Sequence, residues 1–285
     1  MVSEVGIIIS RPKDLEKKKK EFILGGADKI HVLSDFDRTI TYGLDGDGNN
    51  TQSVISKLRT KPSYLGEDYF KEAHRLFNIY HPIEIDANFP LDKKIAKMHE
   101  WWRLHFNLIA KSKLTRALIK KVVNENPLEF RKDAKDFFYF LNKNNIPLIF
   151  MSAGLGDMIE GYLIKNKLNL LNVYIIGNRY DFDSSGKALR VGEPIIHVLN
   201  KKEVTLHNHP EYKKLIKRKN VLLLGDNLED VDMVEGFDYD NLIKIGFLNE
   251  NVKDNLNLYK KNFDIVLTGD QDMKFVNKLL EEILK

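Results

Sequence analysis

The sequence predicts an α/β fold: a parallel sheet covered by helices, with a helical cap inserted after the first core strand. Three observations carry this reading. Short apolar runs alternate with helical patterns along most of the chain, as a helix-covered parallel sheet requires. The runs are apolar at successive positions, Val221-Leu222-Leu223-Leu224 above all, which suits strands buried on both faces. One long segment, 43–126, breaks the rhythm, because it carries helical patterns and no strand of the sheet type.

In chain order, the strands are expected at 29–34, 146–152, 173–177, 220–225, 242–247 and 263–267. Helices are expected between them at 130–143, 157–166, 229–235 and 272–284. Within the inserted segment the clearest helical patterns are 91–108 and 114–124. A cap in that position would lie over the carboxyl ends of the strands, where open α/β sheets bind their ligands. Residues 1–42 and 127–285 form the expected core, and 43–126 the expected cap.

The composition fits such a chain. With 285 residues, 43% of them hydrophobic and 30% charged, the chain can bury a sizeable core and is not a disordered or fibrous polymer. Lys plus Arg number 45 against 41 Asp plus Glu, a net charge of +4. That balance lacks the clustered basic face of a nucleic-acid binder and suits an anionic small ligand. There is no cysteine, so disulfides, thiolate metal sites and cysteine nucleophiles are excluded. No apolar run approaches the length of a membrane span. The apolar stretch 5–9 is too short for a signal-peptide core, and the lysines at 17–20 read as a solvated helix face or a loose arm. A cytoplasmic monomer is expected, with neither a nucleic-acid polymer nor a membrane as partner.

Four motifs carry chemistry. In Ser34-Asp35-Phe36-Asp37-Arg38-Thr39, two carboxylates sit two apart at the end of an apolar strand. Strand alternation sends both the same way, so they can hold a hard cation, with one attacking phosphorus and the other moving protons. A bare pair of this kind is also what a turn with two solvated acids looks like. The second motif is a buried strand ending in Ser152-Ala153-Gly154 before a helical pattern, a hydroxyl and backbone amides suited to phosphate oxygens. The third, Gly225-Asp226-Asn227-Leu228-Glu229-Asp230, offers Asp226 to the same cation, with Asp230 behind it to hold a water or a lysine. The fourth is Lys201. Three carboxylates and a dianionic phosphate crowd together only with positive charge, which a divalent cation and one buried lysine supply.

In this order the four pieces resemble the haloacid dehalogenase-like phosphatases, whose pattern is D-x-D-x-T, a strand-end Ser or Thr, a Lys and G-D-x-x-x-D. The stretches MSAGLGD (151–157), IHVLNK (196–201), IKIGFLN (243–249) and FDIVL (263–267) are similar to the cytosolic pyrimidine 5′-nucleotidases of type III. The resemblance implies a Rossmann-like core and Mg2+-dependent hydrolysis of nucleoside 5′-monophosphates. It implies that Asp35 is the nucleophile and Asp37 the acid and base. Asp35, Asp226 and the Asp37 carbonyl would bind Mg2+, while Ser152, the Ala153 amide and Lys201 would hold phosphate. In the cap, Glu84 would read the base and Trp102 would stack on it.

Three departures bear on specificity. Arg38 replaces a small or apolar residue, His105 stands where pyrimidine-specific enzymes tend to carry Ser, and 45–52 lacks the usual side chains near the base. That last segment begins like a calcium loop but has no glycine at its sixth position and no closing Glu, so it reads as a flexible turn. His207 and His209 read as a solvated loop. The expected substrates are CMP and UMP. Alternatives are 7-methylguanosine 5′-monophosphate, whose cationic base gains from Trp102, and phosphotransfer to a second nucleoside. A catalytically inactive nucleotide-binding protein is the competing class.

Overall fold

The computed structural model describes residues 6–86, 88–201, 215, 217–235 and 238–285. Among them, seven strands form one sheet: β1 (Ile7–Ile9), β2 (Ile30–Ser34), β3 (Leu148–Leu155), β4 (Val173–Asn178), β7 (Asn220–Gly225), β8 (Asn241–Leu248) and β9 (Ile265–Thr268). The intervening β5 (Tyr180–Phe182) and β6 (Ala188–Val191) form a separate hairpin. The sheet order is β1-β9-β8-β7-β2-β3-β4, parallel throughout except for β1 against β9.

Apolar continuity in the strands has the expected cause. Leu222 and Leu224 pack into one layer with Phe22, Phe137, Phe138 and Leu280, while Val221 and Leu223 pack into the other with Tyr259 and Phe263. Alternate side chains therefore enter opposite faces, and both faces are covered. The first layer is built by α1 (Pro12–Gly25), the helix now labelled α6 (Ala134–Lys143) and the C-terminal helix Lys274–Ile283. Helix Val252–Asn262 supplies Tyr259 to the second layer.

Between β2 and α6 the chain carries the helices α2 (Pro62–Leu65), α3 (Glu67–Ile85), α4 (Leu91–Lys111) and α5 (Arg116–Glu125). Helix α4 buries Met98, Trp101, His105 and Ile109 at helical spacing, and Thr115 caps α5 by accepting from the Leu118 amide at 3.0 Å. Leu76 and Tyr80 of α3 pack with Met98 and Trp101 in a small core of their own. Helix α5 instead lies on α7 (Gly156–Lys165), where a Cβ on Gly161 would stand 3.2 Å from Val123. The β5–β6 hairpin supports this helical layer from the sheet side. Tyr180 donates to the Phe106 carbonyl at 2.7 Å, and the Arg116 guanidinium lies 4.1 Å over Phe182.

Residues 6–28 add a sheet edge and a covering helix: β1 pairs with β9, and Lys18 of α1 donates to the buried Asp264 carboxylate at 2.7 and 2.8 Å. The lysine run is thus a helix face partly tied to the core. Several expectations need correction. The expected helix at 229–235 is a 3₁₀ turn over Leu228–Val234, opened by reciprocal capping bonds between Asn227 and Asp230. The expected helix at 130–143 begins only at Ala134, since Phe130 bridges to Thr41. Strand β3 continues past Ser152 to Leu155, with an irregularity in pairing between Met151 and Leu155. The 45–52 turn is tied rather than loose: Leu44 bridges Asn50, and the Asp45 carboxylate accepts from the Asp47 and Asn49 amides at 3.0 and 2.8 Å. His207 and His209 lie outside the described residues. Among those described, no helix is long and apolar enough to cross a membrane.

Candidate active site

Strand register assembles the site. In β2, Ser34 pairs with Phe150 of β3 on one side and Leu224 of β7 on the other. Asp35, Ser152 and Asp226 each follow within two residues, so all three emerge at one edge, where the chain order reverses across the sheet. Phe36 turns into the core against Phe150 and Phe130, and Asp35 and Asp37 both face a cavity on the other side. The expected same-side pair is present.

Lys201 is the hub. Its Nζ donates to Asp35 Oδ1 at 2.6 Å and to Asp230 Oδ1 at 2.8 Å, and all three residues are buried. The other Asp230 oxygen accepts from the Asp226 and Asn227 amides, each at 3.0 Å. Asp230 folds across Gly225, where a Cβ would stand 2.4 Å from Asp230 Cβ. That contact gives the glycine of the G-D-x-x-x-D motif a steric reason. Thr39 Oγ1 donates to Asp226 Oδ1 at 3.4 Å, and the Tyr259 hydroxyl donates to the Asp226 carbonyl.

The Ser152–Gly154 segment forms the second wall. Gly154 N–H donates to Ser152 Oγ at 3.0 Å, and a Cβ on Gly154 would sit 3.1 Å from that oxygen and 3.6 Å from Asp37 Oδ2. A side chain there would intrude between the hydroxyl and the carboxylate. Asp37 Oδ1 accepts from the Val54 amide at 2.9 Å, which ties the acid to the start of a 3₁₀ turn over Ile55–Arg59.

The electrostatics are those of a crowded anion site. Burial pushes the Asp35 carboxyl up, against the pull of Lys201. Burial also raises Asp226, and the neighbouring Asp35 and Asp230 carboxylates add to it. Burial works against the Lys201 ammonium, but Asp230 and Asp35 outweigh it and hold its pKa above the usual lysine range. Asp37 is pushed up to about 6 by burial, with the Val54 N–H pulling the other way. Carboxylate oxygens of Asp35, Asp226 and Asp230 lie within 4.8 Å of one another. This all-oxygen donor set fits a hard dication such as Mg2+. Bonds from Lys201 and two amides already engage both Asp230 oxygens, so Asp35 and Asp226, each with one oxygen engaged, are the residues that could hold such an ion directly.

Above this floor lies a cavity of about 940 Å3. Helix α3 lines it with Phe77, His81 and Glu84, at i, i+4 and i+7, and α4 lines it with Lys94, Trp101, Trp102 and His105. Trp101 is buried and stacks on Tyr80 at 5.8 Å, with an 8° interplanar angle. Trp102 packs on Phe106 at 5.5 Å, and its indole nitrogen has no hydrogen-bond partner among the described residues. His105 is also buried, 3.2 Å from the Tyr69 hydroxyl, and burial lowers its pKa to about 3, so it is neutral. Glu84 stands half-buried in the wall. Burial raises its pKa to about 7, Glu229 adding to the shift and Lys94 opposing it.

Every expected site residue therefore borders this one cavity or, as Asp230 does, holds one that borders it. Sequence reasoning missed Ser53, Ser56 and Arg59, which line it from the 3₁₀ turn and the residues just before it, and Asn251 and Asn255, which also line it. No motif marks them. Arg59 lies 4.1 Å over the Phe77 ring, a contact between helices that sequence spacing cannot give. Arg131 was also missed. It is 2% exposed and donates to the Arg38 and Thr39 carbonyls at 2.6 and 2.8 Å, fixing the loop after the paired aspartates.

The family model described as pyrimidine 5′-nucleotidase (UMPH-1) matches residues 38–284. The human 7-methylguanosine phosphate-specific 5′-nucleotidase is 35% identical over 261 residues, covering 91% of this chain and 86% of that protein. A crystal structure of cytosolic 5′-nucleotidase IIIB bound to cytidine superposes with a TM-score of 0.91 at 30% identity, covering 99% of this chain and 95% of that one. A substrate-bound phosphoserine phosphatase shares the fold at a TM-score of 0.53 and 17% identity, covering 88% of this chain and 97% of that one. On a haloacid dehalogenase-like fold, the chain belongs to the pyrimidine 5′-nucleotidase (UMPH-1) family.

Proposed function

We propose that this protein hydrolyses nucleoside 5′-monophosphates through an aspartyl-phosphate, with Mg2+ as cofactor and 7-methylguanosine 5′-monophosphate preferred over CMP and UMP. The observation that carries the chemistry is the buried Asp35–Lys201–Asp230 chain beside Asp226. An inactive nucleotide-binding protein has no use for three buried carboxylates around one lysine, an arrangement that is costly unless charge is to be handled there. We assign 43–126 to the cap and 1–42 with 127–285 to the core.

In the proposed mechanism, an Asp35 carboxylate oxygen attacks phosphorus as the bond from phosphorus to the ribose O5′ breaks. The electron pair stays on O5′, and the Asp37 carboxyl protonates it, releasing the nucleoside. Asp37, now ionised, takes a proton from water, whose oxygen attacks phosphorus. The bond between phosphorus and Asp35 breaks, freeing inorganic phosphate and restoring the carboxylate. An Asp37 pKa near 6 suits a group that gives and then takes a proton near neutrality. Ser152 and the Ala153 amide hold phosphoryl oxygens, and Lys201 balances their charge. Asp35, Asp226 and the Asp37 carbonyl would hold Mg2+, which when bound would supply further positive charge against the phosphoryl group.

The base preference rests on the roof of the cavity. Trp102 borders the cavity with an aromatic ring, which favours a cationic methylated purine, and the Glu84 carboxyl offers acceptor oxygen to its donors. The name of the human relative points the same way, while the cytidine in the solved relative keeps pyrimidines in the set. A phosphate-release screen over nucleoside monophosphates, with and without EDTA, tests the proposal. Release greatest from 7-methylguanosine monophosphate and lost in EDTA is expected. Release that is indifferent to the base would remove the assignment of the roof, and no release from any nucleotide would remove the activity.

A further inference from the structure

One buried amide joins the two halves of the phosphate site. Asn178, the last residue of β4, is 2% exposed. Its Nδ2 donates to the Ala153 carbonyl and to the Ile196 carbonyl, each at 2.8 Å. Its Oδ1 accepts from the Ile196 amide, also at 2.8 Å. The sequence marks it with nothing more than its place at the end of an apolar run.

We propose that Asn178 is a positioning residue that sets the phosphate-holding Ser152 hydroxyl and the Lys201 ammonium in register with each other. On one side, Asn178 holds the carbonyl of the peptide joining Ala153 to Gly154. The N–H of that same peptide donates to Ser152 Oγ at 3.0 Å. Both ends of the peptide plane are then fixed, and the serine hydroxyl, already accepting, has its own hydrogen to donate into the site. On the other side, Asn178 takes both backbone groups of Ile196. The loop beyond is closed by Asn200, which accepts from the His197 amide at 2.7 Å and donates to the Ile195 carbonyl at 2.8 Å. Lys201 follows directly and reaches Asp35. β3 and the Lys201 loop lie far apart in sequence, and Asn178 bonds to both. A glutamine would be one methylene too long for this spacing, and an aspartate would carry no donors for the two carbonyls.

This inference rests on the reading of Ser152, Ala153 and Lys201 as the phosphate site, so the test carries its own reference variants. Asn178→Ala removes all three bonds, and Asn178→Asp keeps the volume and the acceptor while removing the donors. Four quantities are measured on the full chain: turnover of a nucleotide, turnover of p-nitrophenyl phosphate, inhibition by inorganic phosphate, and cytidine affinity. Misplacing catalytic groups by a fraction of an ångström should lower kcat about tenfold to a hundredfold on both substrates. Phosphate inhibition should weaken by a similar factor, while cytidine affinity stays within about twofold. Ser152→Ala and Lys201→Ala serve as references. If they retain full turnover, the phosphate-site reading itself falls. If they lose turnover while both Asn178 variants keep kcat and phosphate inhibition, the positioning role falls alone. Parallel loss of cytidine and phosphate affinity would also overturn it, because that pattern is general loosening of the cavity.

Discussion

The floor and the roof of the cavity are built on opposite principles. On the floor, polar atoms are locked to one another: Lys201 to Asp35 and Asp230, Asp230 to two amides, Asp37 to the Val54 amide. On the roof, α3 and α4 present rings and one half-buried carboxylate, and the Trp102 nitrogen has no partner among the described residues. A reaction that develops charge gains most from dipoles and charges fixed in advance, because they need no reorganisation. Recognition of a flat base needs surface area and a few acceptors, and it tolerates variation in the rings that supply them. The floor should therefore govern turnover of any phosphomonoester, and the roof should govern only which nucleotide is preferred.

Four experiments would break or sharpen that division. The largest effect is expected from Asp35→Asn. It should lower phosphate release by at least about four orders of magnitude on nucleotide and aryl phosphate alike, since no other nucleophile replaces the carboxylate. Beryllium fluoride should bind the parent protein and not the variant. Appreciable turnover in the pure variant would end the covalent mechanism.

Gly225→Ala comes next. The added Cβ must displace Asp230, which it would meet at 2.4 Å. Overpacking of this kind costs about 1–3 kcal/mol, and the shift should also release Lys201 from one partner. A lower Tm with about a hundredfold lower kcat on both substrates is expected. Unchanged kcat would show that Asp230 does not set the lysine.

A smaller and selective effect is expected from Trp102→Ala. Loss of a stacked ring is worth about 1–3 kcal/mol, or roughly one to two orders of magnitude in kcat/KM for the nucleotide. Hydrolysis of p-nitrophenyl phosphate should be nearly unaffected. Equal losses on both would make Trp102 a packing residue and erase the distinction between floor and roof.

The smallest effect concerns Glu84 and is read as stability without ligand. Its carboxyl is raised to about 7 in the folded protein from an ordinary value of 4.5. Between those values the folded state binds more protons than the unfolded chain, so ionising Glu84 costs stability as pH rises from about 4.5 to 7. Glu84→Gln lacks that cost. Its Tm should match the parent below pH 4.5 and exceed it by a few degrees above pH 7. A pH-independent difference would mean that Glu84 is solvated like a surface acid.

How much of this was legible in the sequence differs between the two regions in the same way. Most of the floor comes from strand ends, which local patterns mark, an apolar run and then Asp35 or Ser152 or Gly225-Asp226, while Lys201 sits in a turn and stood out only as part of the set. Those residues could be named in advance because parallel strands place their carboxyl ends together. The roof was less legible. Glu84 and Trp102 were reached through a family resemblance, while Arg59, Ser53 and Ser56 were missed, since a 3₁₀ turn carries no periodic signal. The β5–β6 hairpin and strand β1 were missed for a related reason, as strands of three or four residues are too short for alternation to register.

By itself, the sequence determined the parallel sheet, the inserted helical layer and the identity of the charged groups, because burial patterns and short motifs are local properties of the chain. Only the tertiary structure decided which of those groups touch. Lys201 meets Asp35 across 166 residues and Asp230 across 29, and Asn178 bridges Ala153 and Ile196. Such contacts depend on strand order and on loops closed by side-chain amides. No sequence period encodes them, because each bond joins elements whose relative position is set by packing of the whole sheet.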